Sequence, residues 1–210
     1  MATVHAVGER APLVRRGRAL SWLTLVCVTI EAVVSIGAGV SAGSIALMGF
    51  GVDSIIELAA SATAIWLLNA DAYEADRERA ELRALRIIGA LFVALTIYVA
   101  WGAARMLLTR QRPEESLAGV LVAAASLIVM PLLARAKRKV AVGLGSRALQ
   151  SEAQQTQLCT YLSAILLGGL ILNGAFGWWW ADPVAALLMV PIIAKEGFDA
   201  LRGRHACDNC

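Results

Sequence analysis

Charge is what this chain has least of. Only 17% of its 210 residues are charged and 59% are hydrophobic, with a mean hydropathy of +0.67, which is too little charge for a soluble domain of this size and reads as a membrane-embedded chain. A second domain has no room. No basic patch of the kind that grips nucleic acid stands out, so no nucleic-acid partner is expected. A secretory signal is also missing, because MATVHAVGERAPLVRRGR is polar and continues into a full-length apolar span. Without that signal the four cysteines, Cys27, Cys159, Cys207 and Cys210, do not read as a disulfide framework.

What the chain does have is long apolar runs. Taking about 20 residues for one crossing of a hydrocarbon core about 30 Å thick, the expected spans are Leu20–Val40, Ile45–Leu68, Ile87–Leu108, Leu117–Leu133, Gln150–Leu172 and Trp180–Phe198. The fourth is the shortest and has Pro131 near its end. Basic residues concentrate in the N-terminal segment, the second and fourth connections and the C-terminal segment, leaving only Arg105, Arg110 and Arg112 on the other side. By the positive-inside rule both termini are then cytoplasmic. The fold class expected is an all-α membrane protein of six transmembrane helices. Residues 1–19 form a cytoplasmic leader, disordered or interfacial, residues 20–200 the membrane domain, and residues 201–210 a short cytoplasmic tail.

The connections carry their own signals. Ser41-Ala42-Gly43 is so short that it forces the first two helices into an antiparallel hairpin. Trp178, Trp179 and Trp180 fall where an interfacial aromatic belt is expected. The charged stretch DAYEADRERAELRALR, from Asp71 to Arg86, is rich in helix formers and extends the second or third helix as a solvated face or a docking surface for a second protomer.

Chemistry concentrates in the second span, where Asp53 and Glu57 stand four residues apart and share one helix face. An ionisable group near the bilayer centre costs roughly 2.5–3.5 kcal/mol on insertion scales, so two on one face call for a compensating partner, and a bound cation is the obvious one. In the fifth span Gln155 and Cys159 repeat the spacing. Facing helices would bring four donor groups together, which suits a divalent cation held by three or four ligands at about 2.0–2.3 Å. Glutamine is a neutral, poor zinc ligand, so Gln155 orients a ligand or holds a water, or Glu152, one turn earlier on the same face, takes its place. The bland alternatives are a buried apolar role for Cys159 and interhelical hydrogen bonding for Gln154 and Gln157. Glu31 in the first span is a candidate proton relay or supporting group. Asp182, beside Pro183, reads as a helix N-cap.

The six-span layout, the string Gly43-Ser44-Ile45-Ala46-Leu47 followed by Asp53-Ser54-Ile55-Ile56-Glu57, and the sixth-helix start Trp180-Ala181-Asp182-Pro183 resemble the cation diffusion facilitator family of metal-ion transporters. The resemblance covers about Leu20 to Arg202. It implies a proton-coupled divalent metal exporter, a homodimer in the inner membrane, whose site takes two residues from the second helix and two from the fifth. The family's pairs fall on Asp53 and Glu57 and, with its preceding acidic position placed on Glu152, on Gln155 and Cys159. An amide and a thiol stand where imidazole and carboxylate are usual, which widens the expected cargo from zinc and cobalt to cadmium, mercury or cuprous copper. No permanent cofactor is expected beyond the transported ion.

The family commonly carries a cytoplasmic metal-binding domain after the sixth helix, and here the chain ends in His205-Ala206-Cys207-Asp208-Asn209-Cys210. His205, Cys207 and Cys210 can supply three metal ligands for cytoplasmic capture. Two other readings remain open: a membrane thiol oxidoreductase using Cys207 and Cys210, and a non-transporting metal-sensing membrane protein. The first is disfavoured because the CxxC lies on the reducing side.

Overall fold

In a computed structural model describing residues 2–69 and 74–202, the helices are α1 (Ala2–Ala42), α2 (Ile45–Asn69), α3 (Glu74–Thr109), α4 (Leu117–Leu144), α5 (Arg147–Phe176) and α6 (Ala181–Leu201). Glycines close three of them. Gly43, Gly145 and Gly177 take φ of 65°, 60° and 65°, the left-handed conformation that ends a helix without a Cβ clash. Serines open two. Ser116 accepts from the Gly119 N–H and Ser146 from the Leu149 N–H, capping α4 and α5. The one-turn link through Gly43 makes the α1–α2 hairpin that the short connection demanded.

The protein is an all-α membrane protein. Five helices are long and apolar enough to cross a bilayer, over Pro12–Ala42, Ile45–Thr63, Leu85–Thr109, Leu117–Leu144 and Leu149–Phe176. The sixth expected span, α6, falls short of that standard. Asp182 at one end and Lys195, Glu196 and Asp199 at the other confine its uncharged stretch to Pro183–Ala194.

Two other expectations change. The fourth span continues past Pro131 to Leu144 and so is no longer the shortest. The basic cluster that seemed to end it is helical, and Val140, Ala141 and Leu144 bury themselves with Leu149 against Leu13 and Val14 of α1. Those two α1 residues come from the segment read as a leader, which continues the first helix. The charged connection belongs to α3 from Glu74 onward.

Helices α1, α2, α4 and α5 form the centre, in the pairs α1 with α2 and α4 with α5, while α3 and α6 pair at one side. Phe50, Leu47, Met130, Leu162, Leu166 and Met189 fill the core. The α3–α6 pair approaches backbone to backbone. A Cβ on Gly89 would lie 2.8 Å from the Leu201 nitrogen and 2.9 Å from the Gly197 oxygen, the small-residue contact by which apolar helices associate in lipid. Loops at the end away from the basic residues are tied together, Glu114 N–H to the Ala42 oxygen at 2.8 Å and the Asn173 amide to the Pro113 oxygen at 3.2 Å. There Trp178 and Trp180 stack at 5.1 Å, half-exposed, in keeping with anchoring residues.

Candidate functional site

Helices α2 and α5 face one another across the bundle centre because each carries a buried stripe that the other covers. On α2 that stripe includes Phe50, Asp53, Ser54, Glu57 and Ser61, all buried. On α5 it includes Glu152, Gln155, Thr156, Cys159 and Ser163, also buried. The expected residues of both pairs therefore lie in the interior, away from lipid.

Their hydrogen bonding is incomplete. Neither carboxylate oxygen of Glu57 has a hydrogen-bond partner, and the Gln155 side-chain oxygen has none either. Buried polar atoms are nearly always paired, and an unpaired buried carboxylate is costly. These oxygens lie on two adjacent helices, with Thr156, Cys159 and Lys137 as the polar neighbours that act on Glu57. Glu57, Glu31 and Asp53 all act electrostatically on the buried Cys159. Among the described residues no three His, Cys, Asp or Glu side chains gather so as to hold a metal ion as they stand. The candidate donors line a seam between α2 and α5.

Glu31 reaches the seam from α1. It accepts from the Ser126 hydroxyl of α4, from Ser54 at 3.4 Å and from the Cys159 thiol at 3.5 Å. An apolar groove of about 140 Å³ between α1 and α4 is lined by Cys27, Ile30, Val122, Ala125 and Val129 and passes beside Glu31 and Ser126.

Glu152 is differently placed. Its Oε1 takes the Lys137 ammonium at 2.7 Å and its Oε2 the Ser21 hydroxyl at 2.6 Å, so it has partners where Gln155 has a free oxygen. Lys137, read from the sequence as one of the cytoplasmic basic residues, is fully buried and also donates to Thr156 at 3.0 Å. One signal marks it. Met130, Ala134, Lys137, Ala141 and Leu144 recur at helical spacing, so Lys137 sits on the buried stripe while Arg135, Arg138 and Lys139 point outward.

Asp182 caps a helix, but not its own. It accepts from the Ser44 hydroxyl and from the Ile45 N–H at 3.0 Å, closing the start of α2, whereas the N-cap of α6 is Trp180, without a side-chain bond. Removing it leaves buried donors unpaired. Asp182→Ala is expected to cost about 2 kcal/mol of stability, read as a lowered Tm in detergent, with Asp182→Asn losing less. His205, Cys207 and Cys210 lie outside the described residues. Cys27 and Cys159 are free thiols.

The bundle is that of a polytopic membrane protein with carboxylate and amide oxygens buried at its apolar centre. Residues 21–203 match the cation efflux transmembrane domain, and the chain belongs to that family of cation diffusion facilitators. It is 25% identical over 158 residues to a protein of Synechocystis sp. named as an uncharacterized transporter, covering 72% of this chain and 51% of the relative. It is 26% identical over 113 residues to the cation-efflux pump FieF of Shewanella oneidensis, covering 54% of this chain and 36% of that protein. The chain thus spans about half the length of these curated relatives or less.

Proposed function

We propose that the chain exports a divalent heavy-metal cation by proton antiport, with Asp53, Glu57, Cys159 and Gln155 as the transport ligands. The observation that carries this reading is the set of unpartnered oxygens on Glu57 and Gln155, on neighbouring helices in the bundle centre. Family membership supports the cargo class, as does the name of the Shewanella relative. Glu152, held by Lys137 and Ser21, is the weaker candidate for the fourth ligand. The thiol of Cys159 favours softer ions, cadmium or mercury beside zinc and cobalt.

In this reading the ion loads from the basic, cytoplasmic side as the ligands shed protons, a rearrangement of helices exposes it outward, and protons displace it there. Glu31, which accepts from the Cys159 thiol at 3.5 Å, relays the protons. Exchanging one divalent ion for one proton moves a net positive charge outward, which a potential of about 100 mV opposes by about 2.3 kcal/mol. A pH gradient or a second proton supplies that energy. A homodimer in the inner membrane, and capture of ions by His205, Cys207 and Cys210, complete the proposal.

The test is metal-dependent proton movement in proteoliposomes loaded with a pH-sensitive dye, with zinc, cadmium, cobalt or mercury added to one side. Proton counterflow with at least one ion is the expected result. Metal entry without proton movement would replace antiport by uniport. No movement of any ion would leave a sensing or scaffold role.

A further inference from the structure

The reading of the ion site makes no use of the most unusual group in the molecule, the ammonium of Lys137. It has no exposed surface, and its ion pair with Glu152 at 2.7 Å is likewise buried. Around the pair three helices converge, since Ser21 of α1 donates to the second Glu152 oxygen and Thr156 of α5 accepts from the lysine. A buried pair of this kind carries a large desolvation cost and depends on the hydrogen bonds around it. Here both Glu152 oxygens accept a hydrogen bond and the ammonium has two acceptors, whereas the Glu57 oxygens accept none.

The position of the pair gives it a task. Glu152 stands three residues before Gln155 and seven before Cys159, so it lies on the same face of α5 and on the side of the basic end of the bundle. Lys137 also acts electrostatically on Glu57. A divalent cation approaching the seam from the basic end meets a fixed positive charge first. To coordinate Glu152, whose Oε1 the ammonium holds at 2.7 Å, it has to displace that charge.

We propose that Lys137 is a resident cation that occupies Glu152 while the site is empty and is exchanged for the transported ion on loading. The inference rests on the transport reading given above. Glu152 is then an entrance ligand rather than a member of the central set. Lys137 is a positioning residue that keeps the entrance shut until an ion of higher charge competes for the same oxygen. Its long apolar stem lets the displaced ammonium extend toward water at the end of the bundle where Arg138 and Lys139 are exposed.

The chain has three lysines, Lys137, Lys139 and Lys195, and exposed Lys139 serves as an internal reference. The experiment is acetylation of the intact protein in nanodiscs by a water-soluble active ester, read peptide by peptide by mass spectrometry, with and without cadmium chloride. Bound cadmium is measured in parallel by equilibrium dialysis against Asp53→Ala as blank. Lys137 is expected to stay protected without metal and to react at least about tenfold faster with it, as a group does when its closed state is opened, while Lys139 is unchanged. Lys137→Gln is expected to bind cadmium at least about tenfold more tightly, having lost its competitor. If wild type binds cadmium above the blank and Lys137 remains protected, the exchange is overturned and the transport site stands. If wild type binds none, both fall. Should Lys137→Gln fail to fold, labelling of the wild type decides alone.

Discussion

Glu57→Gln is expected to abolish metal-driven flux while leaving the metal-free protein at least as stable as wild type. Both Glu57 oxygens are buried without a hydrogen-bond partner, and the attraction of Lys137 offsets only part of the cost of burying that charge. Its loss removes one anionic ligand from a low-dielectric ion site. Breaking one partner out of a buried charged set costs about 3–5 kcal/mol, at least about two orders of magnitude in affinity. A wild-type protein with cadmium or zinc at about 100 times its Kd gains roughly 2.7 kcal/mol from binding, and the variant loses that gain. Thermal melts with and without metal, run beside flux assays, separate the cases. A variant that melts early without metal would show that Glu57 holds the helices together and that the orphaned oxygens have a structural partner.

Cys159→Ser is expected to lower the preference for cadmium over zinc by at least about tenfold, because a thiolate binds the softer ion better and a hydroxyl removes that advantage. The substitution is conservative toward the rest of the site. A serine at that position still donates toward Glu31, which the thiol meets at 3.5 Å, so the hydrogen bond survives while the soft ligand does not. Competition flux with both ions in one vesicle population measures the ratio directly. An unchanged ratio would reduce Cys159 to a buried donor that orients Glu31, and the choice of ion would then rest with the α2 carboxylates.

That Asp53 and Glu57 share one buried face was legible in the sequence, because two carboxylates one turn apart in an apolar run have to turn away from lipid. Hydropathy also located the spans, and the Ser41-Ala42-Gly43 link announced its hairpin. Three features escaped, each for a physical reason. Lys137 sits in a basic cluster, and a positive-inside count weighs number and side rather than the face each residue presents; only its register with Met130 and Leu144 sets it apart. Asp182 carries a capping signature, but its partner Ser44 lies 138 positions away, and local rules offer only the nearest helix start. Glu152 looked like a spare ligand because nothing in its own helix reveals that α1 and α4 deliver Ser21 and Lys137 to its two oxygens. Sequence periodicity reports which face is buried; which groups meet there is a property of the assembled bundle.

The Asp182 cap has an electrostatic consequence for an ion's way out. The N-terminus of α2 carries about half a positive elementary charge from its aligned peptide dipoles, at the end of the bundle away from the basic residues. That field would push a departing cation back toward Asp53. The Asp182 carboxylate, seated on the first amides of α2, more than offsets it, so in the proposed transport reading the α2 N-terminus sets no electrostatic barrier to an ion leaving by that end.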